Sequence, residues 1–335
     1  MTSPQQIEIL DLRHFTAKQL RPLLDEAAVM WRQRLRWDYR SSTDLLLEYL
    51  DSRILPGFVA LDRGRVCGYT FCVYEGAKAV VGDLYTTAAH PTPMAVNHTL
   101  ARHLLETLDA SPGLDRIEAQ LLLFDAGVLR PLFAASAVSR TRFTVFPRLF
   151  LERTLPPPAL SAPTLPQHLR HEFELSTWTP SFYDPCAQLI LDAYRGHIDS
   201  DINDQYRTLH GCLRFLHNII RFPGCGVFDP ESSWVLRQRN TGAFVAVMLC
   251  SRVAPDVAHV TQLCAAQDFR GRHLGSMILD IAMRHLPSSR YRALTLTVSE
   301  ANSAAVKVYH AAGFTLRNRF DALVLDKPRK RPYLL

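Results

Sequence analysis

The sequence predicts an α/β fold built as two tandem domains, each a twisted mixed β-sheet flanked by helices. Three observations carry this. The chain has 335 residues, longer than the about 250–300 that a single hydrophobic core ordinarily serves. Residues 155–166 hold five prolines in twelve positions, a density that excludes a helix or central strand and favours a stiff extended linker. On either side of that linker the same order of elements repeats at a period of about 175–180 residues, as a tandem duplication rather than a solenoid. The expected organisation is a first domain over 1–154, a linker over 155–166, a second domain over 167–326 and a basic tail over 327–335.

In the second half, apolar alternation predicts a strand at 173–177, and helical spacing follows at 184–194 and 205–220, where Leu209, Leu213, Leu216 and Ile220 share a face. Three strands come next, at 233–238, 243–252 and 258–265. A helix at 274–286, a strand at 293–298, a helix at 303–312 and a strand at 314–325 complete the half. The first half repeats the order: strand 8–12, helices near 21–31 and 43–50, strands 58–62, 65–74 and 79–86. A helix at 95–108, a strand at 116–122, a helix at 128–136 and a strand at 143–153 close it. Aligning the two copies by pattern sets Gly82 against Val260 and Phe133 against Tyr309.

Composition excludes several classes. With 47% apolar and 21% charged residues the chain is neither disordered nor of low complexity. The net charge of +6 invites a nucleic-acid reading, but residues 1–160 carry 18 Lys+Arg against 17 Asp+Glu and residues 161–335 carry 20 against 15. Lys327, Arg329, Lys330 and Arg331 hold four of those positives, so the body is close to neutral and no nucleic-acid partner is expected. No apolar run reaches the length of a membrane span, and the first residues lack the basic-then-apolar order of a signal peptide. Seven cysteines, an odd number without Cys-x-x-Cys or zinc-ligand spacing, point to buried free thiols, a reducing compartment and no metal. The expectation is a cytoplasmic protein, monomer or homodimer.

Chemistry enters at the segment 265–276, between a strand and an amphipathic helix. A glycine-bearing turn into a helix start leaves backbone N–H groups free to face one anion, helped by the helix dipole. Arg270 and Arg272 can add charge-assisted hydrogen bonds; an ordinary strand-to-helix turn with two exposed arginines reads the same way.

The order strand, Arg270-Gly-Arg-His-Leu-Gly-Ser276, helix, strand, followed by Asn302, Ala305, Tyr309, Gly313 and Phe314, resembles the GNAT (Gcn5-related N-acetyltransferase) family. That family's loop reads Arg/Gln-x-x-Gly-x-Gly/Ala. Arg270 and Gly275 fit, while His273 stands at the first motif glycine and Gly271 lies beside it. The resemblance is specific over about 257–325, extends by element order over 172–325, and reaches the first half more weakly.

The resemblance implies binding of acetyl-CoA or another acyl-CoA and acyl transfer to an amine. The loop residues Arg270, Gly271, Arg272, His273, Leu274, Gly275 and Ser276 would seat the pyrophosphate. Pantetheine would lie along the strand bearing Leu263, Cys264 and Ala265, and Asn302 and Ala305 would flank it. Two roles are open to Asn302, helix cap and cofactor contact. Tyr309 matches the family's general acid for the thiolate, and His259 stands where some relatives carry a basic Glu, although a lone strand histidine is also an ordinary core residue. The family builds its acceptor site from the connection 194–206, where Asp199, Asp201 and Asp204 can attract a cationic amine and Asn203 and Tyr206 can line a cleft. Capping by Asp201 or Asn203 on a solvated turn fits the same residues.

The first half lacks these features. Its loop, 88–95, contains Pro91 and Pro93, which remove N–H donors, and Phe133 replaces the tyrosine. The resulting expectation is a degenerate first domain and a second domain acetylating the primary amine of a small metabolite. A non-catalytic acyl-CoA-binding module and a protein N-acetyltransferase are the alternatives.

Overall fold

The structure is a computed structural model that describes residues 7–135, 143–157, 164–222 and 224–327. In chain order it forms β1 (Ile7–Asp11), α1 (Ala17–Leu35), α2 (Arg40–Asp51), β2 (Gly57–Asp62), β3 (Arg65–Glu75), β4 (Lys78–Thr86), α3 (Pro93–Ala110), β5 (Arg116–Gln120), α4 (Arg130–Ala135) and β6 (Thr144–Thr154). There follow β7 (Phe173–Thr177), α5 (Tyr183–Tyr194), α6 (Asp199–Ile202), α7 (Leu209–Arg221), β8 (Val227–Phe228), β9 (Trp234–Gln238), β10 (Phe244–Ala254) and β11 (Val257–Ala265). The chain ends with α8 (Leu274–Ser289), β12 (Ala293–Ser299), α9 (Ser303–Ala311) and β13 (Thr315–Asp326). Residues 158–163 of the expected linker, the expected helix end at Ser136, and residues 328–335 of the basic tail lie outside the described residues.

The chain divides into two compact units. The first comprises Met1–Gln33, Arg40–Pro147 and Arg319–Leu335; the second comprises Arg34–Tyr39 and Arg148–Asn318. Its sheet in the first unit runs β1-β2-β3-β4-β5-β13, and in the second β7-β9-β10-β11-β12-β6 with β8 on β10. In each, neighbours are antiparallel except one parallel pair, β4 with β5 and β11 with β12.

These units differ from a division at the linker by an exchange of last strands. β13 pairs with β5 from Ala322↔Gln120 to Asp326↔Arg116, and β6 pairs with β12 from Arg148↔Ser299 to Thr154↔Ala293. Alternation in a sequence identifies a strand and its inward face, but not which unpaired edge it will cover. Both strands are apolar enough for either place: Leu149, Phe150 and Leu151 in β6 are buried, as are Phe320, Ala322, Leu323, Val324 and Leu325 in β13.

In the second unit helices cover both faces of the sheet. Ala246, Met248 and Cys250 of β10 point to the side of α8, where Ile278, Leu279, Ala282 and Leu286 recur at helical spacing. Val247 and Leu249 point the other way, onto Cys186, Leu189 and Ile190 of α5 and Cys212 and Leu216 of α7. A strand buried on both faces must be apolar at every position, which explains the unbroken run 244–250. α7 starts at Leu209 rather than at 205: the Thr208 side chain accepts the Gly211 N–H, while Asn203 accepts that of Gln205 and holds Asp204–Arg207 in a separate 3-10 turn.

Both units carry a bulge at the same station. Between β10 and β11 the pairing passes from Leu249↔Gln262 to Cys250↔Val260, leaving Thr261 as the extra residue. Between β3 and β4 it passes from Phe71↔Asp83 to Cys72↔Val81, leaving Gly82. Gly82 therefore corresponds to Thr261, one residue on from the pattern alignment with Val260, and Asp83 corresponds to Gln262. A one-residue slip exchanges the two faces of a strand, so this correction decides which side chains are counterparts.

Asp83 is buried in the first unit, where Tyr69 donates its hydroxyl and Leu84 its N–H, each at 2.8 Å. Burial outweighs these bonds and pushes the carboxyl up to about 6. An acid whose folded value lies above its unfolded value stabilises the fold fully below the unfolded value and loses that contribution as pH rises through the folded one. The first unit should accordingly lose on the order of 2–3 kcal/mol between pH 4 and 7 through this group. Urea midpoints measured across that range should fall less steeply in Asp83→Asn than in the natural chain; equal slopes would mean that Asp83 does not titrate there.

Candidate active site

The second unit's candidate site is a split in its sheet. β11 and β12 pair only from Val257↔Ala293 to Val260↔Leu296; beyond the bulge β11 stays on β10 as far as Ala265↔Ala246, while β12 stays on β6 as far as Ser299↔Arg148. The Ala266 N–H donates to Val245 O. Antiparallel alternation then commits the backbone of Cys264 and Ala266 to β10 and turns that of Leu263 and Ala265 toward the split. These groups can accept or donate to an extended ligand lying between the strands.

At the open end of β11 the chain turns into α8. Gly271 has φ 78° and His273 φ 58°, so the first glycine of the loop pattern falls on a left-handed position. His273 occupies it at a cost of about 1 kcal/mol that glycine avoids. His273 gives no side-chain cap, and the N–H groups of the first turn, Leu274, Gly275 and Ser276, have no intrahelical acceptor. A Cβ at Gly271 or Gly275 would meet nothing within 4 Å. The two arginines are committed within the protein: Arg270 donates to Ala193 O at 2.8 Å, and Arg272 forms a two-pronged pair with Glu172 at 2.6 Å while stacking over Phe173. These partners take Nη2 of Arg270 and Nη1 and Nη2 of Arg272.

Tyr309 lies on α9, in the core cluster on the α8 side, edge-on to Phe314. Burial, with Asp199 and Cys264 nearby, raises its phenol above the ordinary value, and Arg148 pulls the other way. Asn302 caps α9, its Oδ1 accepting the Ala305 N–H at 3.2 Å, and its Nδ2 lies 3.2 Å from His197 Nε2. The helix ends in Gly313, φ 81°, with Gly313 N–H on His310 O and Phe314 N–H on Tyr309 O, the paired closure of a Schellman turn.

Across the split stand groups from the α5–α7 side. Asp199 accepts from Arg148 Nη1 at 3.2 Å and from the Ser299 hydroxyl, and its N–H donates to His197 Nδ1 at 3.1 Å. Tyr206 stacks on Tyr194 at 4.3 Å, and its hydroxyl lies 3.4 Å from Gln262 Oε1. Burial pushes the Cys264 thiol up to about 12, so it is no nucleophile at neutral pH. Of the expected acceptor residues the fold thus gathers Asp199 and Tyr206. Asp201 instead pairs with Arg207 at the surface, and Asn203 serves as a cap. His197, Gln262 and Ser299 were passed over although they lie in the segments singled out. Arg148 comes from ahead of the linker, where no local signal connects it with this site.

His259 does not belong to this group. It sits in the paired part of β11, opposite Thr295, between the Phe150 ring at 5.7 Å and Trp37 at 5.1 Å. The Thr295 hydroxyl donates to Ala258 O, which leaves its oxygen to accept the His259 Nδ1–H at 2.9 Å. Burial drives the imidazole down to about 3. Protonating it at pH 7 would cost about 5 kcal/mol, so its surroundings fit a packing residue and not a base.

The first unit has the same split between β4 and β5, but its donors are taken. Glu26 of α1 accepts the Ala88 N–H at 2.9 Å and the hydroxyls of Thr87 and Tyr85 at 2.8 and 3.0 Å. Pro93 opens α3, and Phe133 is buried edge-on to Phe143. Among the described residues no group of three or more His, Cys, Asp or Glu could hold a metal ion, and no helix is long and apolar enough to cross a membrane.

A split parallel pair, an open helix start beside it and a buried tyrosine across it define a class. The sequence model of the acetyltransferase (GNAT) family matches residues 198–314. Three solved structures are similar to nearly the whole chain. A tandem GNAT protein from the clavulanic acid biosynthesis pathway, without AcCoA, shares 16% identity over 97% of this chain and 100% of that one, with a TM-score of 0.58. A Gcn5-related N-acetyltransferase from Sphaerobacter thermophilus shares 14% over 98% of each, with a TM-score of 0.65. A glucosamine N-acetyltransferase region in a fungal multi-domain β-N-acetylglucosaminidase shares 16% over 96% of this chain and 38% of that one, with a TM-score of 0.63. No curated protein sequence matches. Within the second unit, residues 198–314 match the acetyltransferase (GNAT) family model, and the chain as a whole is similar in fold to a tandem GNAT protein.

The closing turn of α9 offers a test of how Tyr309 is held. A Cβ at Gly313 would fall on Arg153 Nη1 as well as at a positive φ. Gly313→Ala should lower unfolding free energy by about 1–2 kcal/mol; a change within 0.5 kcal/mol, by chemical denaturation, would mean that the turn does not constrain α9.

Proposed function

We propose that the chain is an N-acyltransferase that moves an acetyl or other acyl group from acyl-CoA to the primary amine of a small metabolite, by direct attack in a ternary complex. The observation that carries this is the split of β11 from β12, with the open first turn of α8 at its mouth and Tyr309 across it. The first-turn N–H groups and the dipole of α8 suit a pyrophosphate. The backbone of Leu263 and Ala265 suits the amides of pantetheine, and Asn302 and Ala305 stand on the opposite wall. The neutral amine nitrogen attacks the thioester carbonyl, the carbon–sulfur bond breaks, Tyr309 supplies the proton to the departing thiolate, and the proton that the nitrogen loses passes through solvent and restores the Tyr309 phenol. A phenol raised by burial stays protonated through neutral and mildly alkaline pH, as that role requires. The first unit, with Glu26 on its donors and Phe133 in place of an acid, is proposed to be non-catalytic.

Two measurements test the reading. Tyr309→Phe should lower kcat by about 100-fold or more in a free-thiol assay while leaving CoA affinity within a factor of three; an unchanged kcat would remove Tyr309 from the proton transfer. Gly275→Ala should act in opposite directions on fold and ligand. Its Cβ has open space, so stability should rise by up to about 0.5 kcal/mol from helix propensity, while CoA binding by calorimetry weakens at least about tenfold as the methyl group fills the phosphate's place. Unweakened binding would mean that CoA does not use this turn. A chain that binds acetyl-CoA yet releases no thiol with any amine would be a binding module instead.

A further inference from the structure

The charges buried beside the split specify more about the acceptor than that it carries an amine. Arg148 and Asp199 are 12% and 14% exposed at their side chains and pair at 3.2 Å. Taking two charges out of water costs more than an apolar pair in the same place would, so a buried pair is weak as a stabilising device and calls for another reason. Its geometry is also incomplete. Arg148 uses Nη1 on Asp199, and its buried Nε has no hydrogen-bond partner. On β11, across the split from the β12–β6 ladder that carries Arg148, the Nε2 of Gln262 is likewise buried without a partner. Arg153, Arg214, Arg237 and Trp234 also have an orphaned nitrogen. These two are set apart by place: Arg148 faces Ser299 in register at the end of the β6–β12 ladder, and Gln262 follows the bulge on β11.

Resting on the acyltransferase reading, we propose that the acceptor is a zwitterion carrying a carboxylate beside its amine, an amino acid or amino-acid-like metabolite. The Nε edge of Arg148, with Gln262 Nε2, takes the carboxylate, and Asp199 draws the ammonium before it loses its proton. A guanidinium offers donors on more than one edge, so Arg148 can hold Asp199 through Nη1 and a second carboxylate through the Nε side. The balance of charge points the same way. The pair is neutral, and a zwitterion adds one charge of each sign, leaving the desolvated site neutral. A simple ammonium ligand would compete with Arg148 for Asp199 and bury an excess positive charge. The Ser299 hydroxyl, donating to Asp199 Oδ1, keeps that carboxylate oriented meanwhile.

The experiment pairs each of three amino acids with its decarboxylated amine, alanine with ethylamine, phenylalanine with phenethylamine and lysine with cadaverine. Each is measured on the full-length protein by calorimetry and by thiol release from acetyl-CoA. At least one amino acid should exceed its amine by about tenfold or more in affinity or in kcat/KM. Arg148→Leu should bring the two within about twofold, and Arg148→Lys, which keeps the charge but not the planar edge, should lose most of the preference. Unchanged CoA binding establishes that each variant is folded. Amines equal to or better than the amino acids, or a preference that survives Arg148→Leu, overturn the proposal and leave acyl transfer standing. Thiol release with no amine of either kind, despite acetyl-CoA binding, overturns the acyltransferase reading itself; calorimetry without the tenfold preference then overturns the zwitterion as well.

Discussion

The constraint on which the second unit depends is the bulge at Thr261. Up to Val260 and Leu296 the two parallel strands satisfy one another's backbone; one residue later β11 follows β10 and β12 follows β6. A strand deprived of its neighbour exposes N–H and C=O groups that must find partners elsewhere. Placing those groups between an open helix start and a buried phenol makes a site out of what would otherwise be a defect in the sheet.

The same bulge stands in the first unit, at Gly82, with different groups around it. There the station of Gln262 is held by Asp83, sealed in by Tyr69 and the Leu84 N–H, and an internal carboxylate, Glu26, takes the donors at the end of β4. The backbone geometry is retained and the ligand-facing groups are spent on the fold. Exchange of the last strands gives the first half of the chain a further part: β6, encoded ahead of the linker, supplies Phe150 to the wall that encloses His259 and Arg148 to the pair with Asp199. Residues 167–326 by themselves do not contain the complete second unit.

Much of this was legible in the sequence because it is local. Element order, the helix start at Leu274 and the tyrosine on α9 follow from periodicity and motif spacing. Elsewhere local pattern underdetermines environment. His259 reads as a base when only its strand is known; the rings of Phe150 and Trp37, distant in sequence, strip it of water and basicity. Arg270 and Arg272 read as two exposed side chains, whereas Ala193 O and Glu172, far from them along the chain, each hold part of their donor set. The pattern alignment of the two copies slipped by one residue because a bulge leaves no mark on alternation.

By itself, then, the sequence determined the two sets of strands and helices, the glycine-bearing turn into α8 and the position of Tyr309, since hydrophobic period, turn chemistry and capping act over a few residues. Only the tertiary structure decided which edge each last strand would cover, which charges would be buried together and which histidine would be dry. Those outcomes depend on pairing and burial between segments far apart along the chain, Arg148 with Ser299, Arg116 with Asp326 and Trp37 with His259 among them, and desolvation is a property of the assembled interior rather than of any stretch of chain.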